Sequence, residues 1–227
     1  TLSLTRLSPR QRAALSEARL SYLLRRLDQE VDRALQPYGY YEASVESQVR
    51  RGTRGIEVVL TVTPGEPVRV IEADLALEGD AAQDRAVMRR LRTFRPRQGE
   101  RLDHRRYEAS KLAVQRRLLE RGYFDAELLT HRIEVTRRAR EAVLRLRWQS
   151  GVRFKLGTVT FEGAQVHADL LRKVVPFEAG EPFHQRHLVA LQQRLTDLDY
   201  FGYIDVRGFP PGTEVKDPYS GKSFLVP

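Results

Sequence analysis

The 227-residue chain contains no cysteine, which excludes disulfide scaffolds, zinc–thiolate sites, thiol catalysis and iron–sulfur clusters. No apolar run approaches the roughly 18–20 residues of a membrane span. No basic segment followed by an apolar stretch marks a signal peptide. The chain opens at Thr1 without a methionine, so we expect a preceding piece to have been removed, and the missing leader says nothing about compartment. Charge of a single sign is lacking too. The net charge of +9 invites a nucleic-acid reading, but residues 1–64 carry 10 basic and 7 acidic groups, 65–150 carry 20 and 14, and 151–227 carry 9 and 9. Arginine interleaved with acid describes a solvated surface. With 41% hydrophobic residues the chain can bury real cores.

Motifs for chemistry are equally scarce. Gly221-Lys222-Ser223 has the ending of a phosphate-binding loop, but the earlier glycine of that motif would fall at Lys216. There is no Gly-x-Ser-x-Gly elbow and no His-Glu-x-x-His. His184 and His187 are three apart and could share a helix face, yet a metal wants a third ligand; capping near a helix start is the plainer role. We expect no enzyme activity, no metal and no cofactor.

Internal repetition is what the sequence does have. Pro37-Tyr38-Gly39-Tyr40-Tyr41-Glu42-Ala43 recurs as Glu120-Arg121-Gly122-Tyr123-Phe124-Asp125-Ala126, and more weakly as Asp197-Leu198-Asp199-Tyr200-Phe201-Gly202-Tyr203. Val68 to Leu77-Glu78-Gly79 matches Val152 to Phe161-Glu162-Gly163, and Phe94-Arg95-Pro96-Arg97-Gln98-Gly99-Glu100 matches Val175-Pro176-Phe177-Glu178-Ala179-Gly180-Glu181. The offsets of 83, 84 and 81 residues keep the same order. The chain is a tandem array.

Each repeat can be read physically. Leu20, Leu23, Leu24, Leu27, Val31, Ala34 and Leu35 recur at intervals of three and four, which predicts one helix of about four to five turns. Counting back four and eight from the marker position gives Leu35 and Val31, Leu118 and Val114, then Leu195 and Leu191, so the same helix occurs three times. Gly39 and Gly122 stand where that helix stops, and glycine takes the left-handed conformation without a Cβ clash. Asp199 replaces them in the third repeat. Ile56, Val58, Leu60 and Val62 alternate along one strand, as do Ala142, Leu144, Leu146 and Trp148. The reading is α+β: three tandem β-α-α-β-β modules, each a three-stranded mixed sheet with two helices on one face. Their bounds are 1–64 (first strand missing, residues 1–5 the tail of a helix), 65–150, and 151–227. In the last, Pro210 to Gly221 is a long hairpin loop and Ser223 to Pro227 starts an incomplete strand.

The aromatics Tyr40, Tyr41, Tyr123, Phe124, Tyr200 and Phe201 follow each helix end, which favours packing over base stacking. Arg89, Arg90, Arg92, Arg95 and Arg97, with Arg101, Arg105 and Arg106 beyond them, form the candidate basic patch. It is a solvated face, a contact for an acidic partner or anionic lipid, or a nucleic-acid site.

These repeats resemble the POTRA (polypeptide-transport-associated) domains of the BamA-like outer-membrane assembly superfamily. Within it they resemble the TamA family, the outer-membrane subunit of the translocation and assembly module. The resemblance covers residues 10–206 and rests on Val62-Thr63-Pro64-Gly65-Glu66-Pro67-Val68, Arg121-Gly122-Tyr123-Phe124-Asp125, Phe154 to Gly163, and Val175-Pro176-Phe177 with Gly180-Glu181. Asp199 and the missing first strand depart from it. It implies a periplasmic region of an outer-membrane protein, followed by an outer-membrane barrel. The implied partners are an inner-membrane-anchored, periplasm-spanning TamB-like protein and outer-membrane protein clients, autotransporters among them. It implies no nucleic acid, catalysis or cofactor. A different assembly factor or a secretion porin is the near alternative, and a basic nucleic-acid-binding module the far one.

In a β-α-α-β-β sheet the strand after the second helix should lie at an edge and the last strand at the centre. Edge strands present unpaired N–H and C=O groups to which an extended segment can add. In the first module that edge is Tyr41 to Arg50, which makes Glu42, Ala43, Ser44, Val45, Glu46 and Ser47 the candidate partner-binding residues. In the second it is Phe124 to Thr136.

Overall fold

A computed structural model describes residues 7–13, 15–52, 55–163, 165–209, 214–216 and 223–225. The leucine stripe forms helix, as its spacing requires, but in two pieces. After the short α1 (Pro9–Ala13), Ser16 caps α2 (Glu17–Arg25) by accepting the Arg19 N–H at 3.2 Å, and α3 (Leu27–Leu35) follows. Between them Arg26 donates its N–H to the carbonyls of Leu23 and Leu24, a local tightening that interrupts the helix. The stripe survives: Leu20, Leu23, Leu27 and Val31 are buried, although Ala34 is exposed.

Strand β1 (Ser44–Gly52) pairs antiparallel with β2 (Gly55–Thr63), Ser44 opposite Thr63 and Gly52 opposite Gly55. Next come β3 (Arg69–Glu78), α4 (Arg85–Arg92), α5 (His104–Glu120), β4 (Glu127–Thr136) and β5 (Glu141–Gln149), the expected strand, short helix, long helix, strand, strand. Their sheet order is β3-β5-β4, so the last strand is central and β4 is an edge. Position in the sheet decides burial. Ala142, Leu144, Leu146 and Trp148 on β5 are all buried, whereas on β2 Ile56 and Val62 are 41% and 40% exposed. The shared helix positions pack as read: Val114, Leu118, Leu191 and Leu195 are buried.

The third stretch corrects the expectation of three equal sheets. It holds α6 (Ala168–Arg172) and α7 (Gln185–Asp197), whose Leu171, Leu191 and Leu195 gather Val159, Phe161, Phe177, Phe201, Ile204 and Val206. Residues 152–163 form no strand, and the one β-bridge they make is the isolated pair Lys155↔Pro182. An extended segment becomes a strand only where another pairs along it, so the three-stranded sheet occurs once among the described residues. The short β6 (Glu214–Lys216) and β7 (Ser223–Leu225) pair antiparallel, and β6 lies within the stretch read as loop. The remainder of that loop, and the helix tail expected over residues 1–5, lie outside the described residues.

The mixed α+β chain gathers into two compact units. One comprises Thr1–Leu75, Thr93–Leu112 and Thr130–Leu146, the other Ala76–Arg92, Ala113–Leu129 and Arg147–Pro227. Among the described residues no helix is long and apolar enough to cross a membrane.

Candidate protein-interaction surfaces

Within the first compact unit, Gly39 ends its helix at φ +86° and its carbonyl accepts the Val68 N–H at 2.8 Å. The Val68 carbonyl accepts from Leu102 at 2.9 Å, while Val70 donates to Glu100 at 2.9 Å and accepts from Gly99 at 2.7 Å. A Cβ on Gly39 would overlap the Leu102 carbonyl oxygen. Within the second unit the same bonds recur. Phe154 donates to Gly122 at 2.9 Å, Phe183 to Phe154 at 2.9 Å, Leu156 to Glu181 at 2.7 Å, and Gly180 to Leu156 at 2.7 Å. A Cβ on Gly122, also at φ +86°, would lie 2.7 Å from Phe183 Cβ. Motifs far apart in sequence are thus two halves of one main-chain seat. The Gly-Glu half shapes itself: Glu100 accepts the Arg97 N–H at 2.9 Å and Glu181 the Glu178 N–H at 3.0 Å, with Gly99 and Gly180 left-handed.

The aromatics beside each seat pack, as their placement predicted. The Tyr41 hydroxyl is 2.8 Å from His104 Nε2, and Phe124 meets Phe154 and Phe183 edge to face at 5.4 and 4.9 Å. Burial lowers the pKa of His104 against the pull of Asp103 and Glu108. In the third repeat Asp199 keeps the left-handed backbone at φ +54°, but Tyr200 is 73% exposed; Phe201 alone joins a core there.

A charged latch closes the second seat. Asp84 is buried, pairs with Arg121 Nε, accepts from Tyr123 Oη at 3.2 Å, and caps α4 through the N–H of Ala86 at 2.9 Å. Burial alone would raise its pKa, but these bonds and the Arg121 charge hold it below the usual carboxylate range. The same burial and the neighbouring carboxylate push Tyr123 up to about 12. Arg153 donates to the carbonyls of Arg121 at 2.8 Å and Phe183 at 3.0 Å.

At the candidate edge, β1 has β2 as its neighbour, and its side chains are exposed except for half-buried Val45 and Val49. Ser44, Val45, Glu46 and Ser47 lie on this strand. Glu42 and Ala43 precede it and are engaged elsewhere: the Ala43 N–H donates to Asp32 at 3.3 Å, and Glu42 lies 3.7 Å from Arg140.

Residues 2–64 match the family described as POTRA domain TamA domain 1, and residues 73–145 match POTRA, described as surface antigen variable number repeat. The chain contains POTRA domains. Similar solved structures include BamA POTRA3-5 of Haemophilus influenzae, 18% identical over 89% of this chain and 77% of that one, with a TM-score of 0.45. POTRA1-3 of the periplasmic domain of Omp85 from Anabaena is 18% identical over 83% and 76%, with a TM-score of 0.33. The N-terminal domain of Omp85 from Thermosynechococcus elongatus is 17% identical over 87% and 80%, also at 0.33.

The POTRA arginine cluster divides between two settings. Arg89, Arg90 and Arg92 are on α4, whereas Arg95 pairs with Glu100 and the Arg97 N–H is taken by the same carboxylate. His184 caps α7, its Nδ1 accepting from the Arg186 N–H at 3.1 Å. Sequence reasoning missed the latch. Asp84, an N-cap residue type before the helical run Arg85–Arg92, was the available signal, but its bond to Arg121 spans 37 residues.

Proposed function

We propose that this chain is the periplasmic interaction region of an outer-membrane protein assembly or translocation factor, built of three POTRA modules at 1–64, 65–150 and 151–227. It captures an inner-membrane-anchored, periplasm-spanning TamB-like partner, and outer-membrane protein clients, by adding an extended segment to a sheet edge. Autotransporter biogenesis is the process, and an outer-membrane barrel follows in the whole protein. The work is binding, without catalysis or cofactor. The observation that carries this reading is β1, a nine-residue strand with one neighbouring strand among the described residues and a mostly exposed surface. The POTRA family matches support it, and so does the periplasmic setting that the Anabaena relative's name records.

Strand addition works through main-chain bonds, so single side-chain changes should matter little. A proline removes one donor and bends the strand. Because Ala43 has already given its N–H to Asp32, pairing begins at Ser44. Val45→Pro or Glu46→Pro, whichever residue bonds outward, should weaken capture of the partner's periplasmic segment well over about tenfold, while alanine at either site costs under about 1 kcal/mol. Pull-down with circular dichroism measures both. A folded pair of proline variants that still captures the partner at wild-type strength would rule out addition at β1.

A further inference from the structure

We propose that the open hollow lined by Arg69, Arg101 and Arg106 binds the side-chain carboxylates of an acidic peptide segment. All three arginines belong to the first compact unit and are exposed. With Tyr40, Pro67 and Gly99 they line a surface depression of about 540 Å³. Arg69 and Arg101 stand directly opposite each other, as the two residues of an isolated antiparallel bridge. The bonds on either side run from the Leu102 N–H to Val68 and from the Val70 N–H to Glu100. Theirs is therefore the non-hydrogen-bonded kind of pair, in which two side chains leave the same face at the closer spacing. Like charges so placed repel. The seat does not require this arrangement. At the corresponding bridge of the second seat Lys155 stands opposite Pro182, yet the main-chain bonds are the same.

Among the described residues neither arginine of the pair has a carboxylate partner. Arg69 donates Nη1 to the Gly99 carbonyl at 3.1 Å, and Arg101 donates Nη1 to the Tyr40 hydroxyl at 3.0 Å. Both acceptors are neutral oxygens, so they orient the guanidinium groups and leave the charge in place. The acids alongside are engaged by other groups. Glu100 holds Arg95 and the Arg97 N–H, Asp103 accepts the N–H groups of Arg105 and Arg106 at 3.0 and 3.1 Å, and Glu66 holds Arg140. A carboxylate set between Arg69 and Arg101 would accept from both planar forks and offset their repulsion. Pro67 and Tyr40 give the hollow an apolar wall. The methylene stem of a glutamate can lie against that wall, whereas an inorganic phosphate has no use for it. The hollow also has the size of a site for a ligand of many atoms, not for one ion.

Fluorescence anisotropy of labelled hexaglutamate, titrated with the whole chain, tests the site. A charge-assisted hydrogen bond is worth about tenfold or more in affinity. Arg69→Gln and Arg101→Gln should therefore each weaken hexaglutamate binding by at least about tenfold. Arg138→Gln, an exposed arginine outside the hollow, should bind as wild type does, and labelled hexaglutamine should not bind. Because each variant relieves the repulsion, urea unfolding without peptide should show both at least as stable as wild type. Binding that neither variant changes, an equal loss with Arg138→Gln, or equal binding of hexaglutamine overturns the proposal. So does inorganic phosphate that displaces hexaglutamate at equal concentration. A loss of stability in both variants also overturns it, because the arginine pair would then hold the fold and not a ligand. Capture at β1 is read in a separate assay, so either idea can fail without the other.

Discussion

Alanine at Gly122 tests the seat most directly. Two costs add. A side chain at φ +86° sits in the left-handed region, which disfavours L-residues by about 1–2 kcal/mol. The new methyl would then meet Phe183 Cβ at 2.7 Å, an atom fixed to its own backbone, and overpacking of that kind costs about 1–3 kcal/mol. The expected loss is about 2–5 kcal/mol. Asp199 is the internal reference. It occupies the equivalent position at φ +54° and already carries a Cβ, so Asp199→Ala should shift stability by less than about 1 kcal/mol, while Asp199→Gly should be neutral or stabilise by up to about 1 kcal/mol. Urea unfolding followed by the fluorescence of the single tryptophan, buried Trp148, reports all three. If Gly122→Ala loses no more than Asp199→Ala, the contact at Phe183 is not closed and the seat as described is wrong.

Leu118→Ala should destabilise by about 2–5 kcal/mol in the same assay, because a fully buried leucine leaves a cavity; a loss under about 1 kcal/mol would remove that position from the core. Asp84 has a folded-state pKa below its unfolded value, so its contribution is complete above about pH 4 and is lost as pH falls through the folded pKa. Urea unfolding across that acid range should show a shallower fall for Asp84→Asn than for wild type, and identical slopes would mean the latch is not charged.

The helices and their buried faces were legible because periodicity reports which side of an element avoids water. Val114, Leu118, Leu191 and Leu195 fall where counting back from the marker placed them, and Asp199 adopts the left-handed backbone that its alignment with two glycines implied. Sheet order in β3-β5-β4 followed from topology alone. Periodicity does not say what the hidden face meets. The bond from Gly39 to Val68 and the Asp84–Arg121 pair join residues far apart in sequence, so no local pattern marks them. The same gap explains the candidate edge, where Asp32 and Arg140 approach Ala43 and Glu42 from other elements. The break at Arg26 and the missing ladder over residues 152–163 depend on carbonyl geometry and on a pairing partner, and neither is written in hydrophobicity.

Because the Gly39 carbonyl receives the Val68 N–H, the segment that carries the β1–β2 hairpin comes back to the point it left. The excursion from Gly122 to Phe154 is tied off in the same way. A closed base fixes where the hairpin begins and ends. Strand length, turn chemistry and surface charge can drift, or a foreign hairpin can be grafted, without moving the seat. Selection is therefore free to tailor the exposed strands to new ligands while the coupling at their root stays the same.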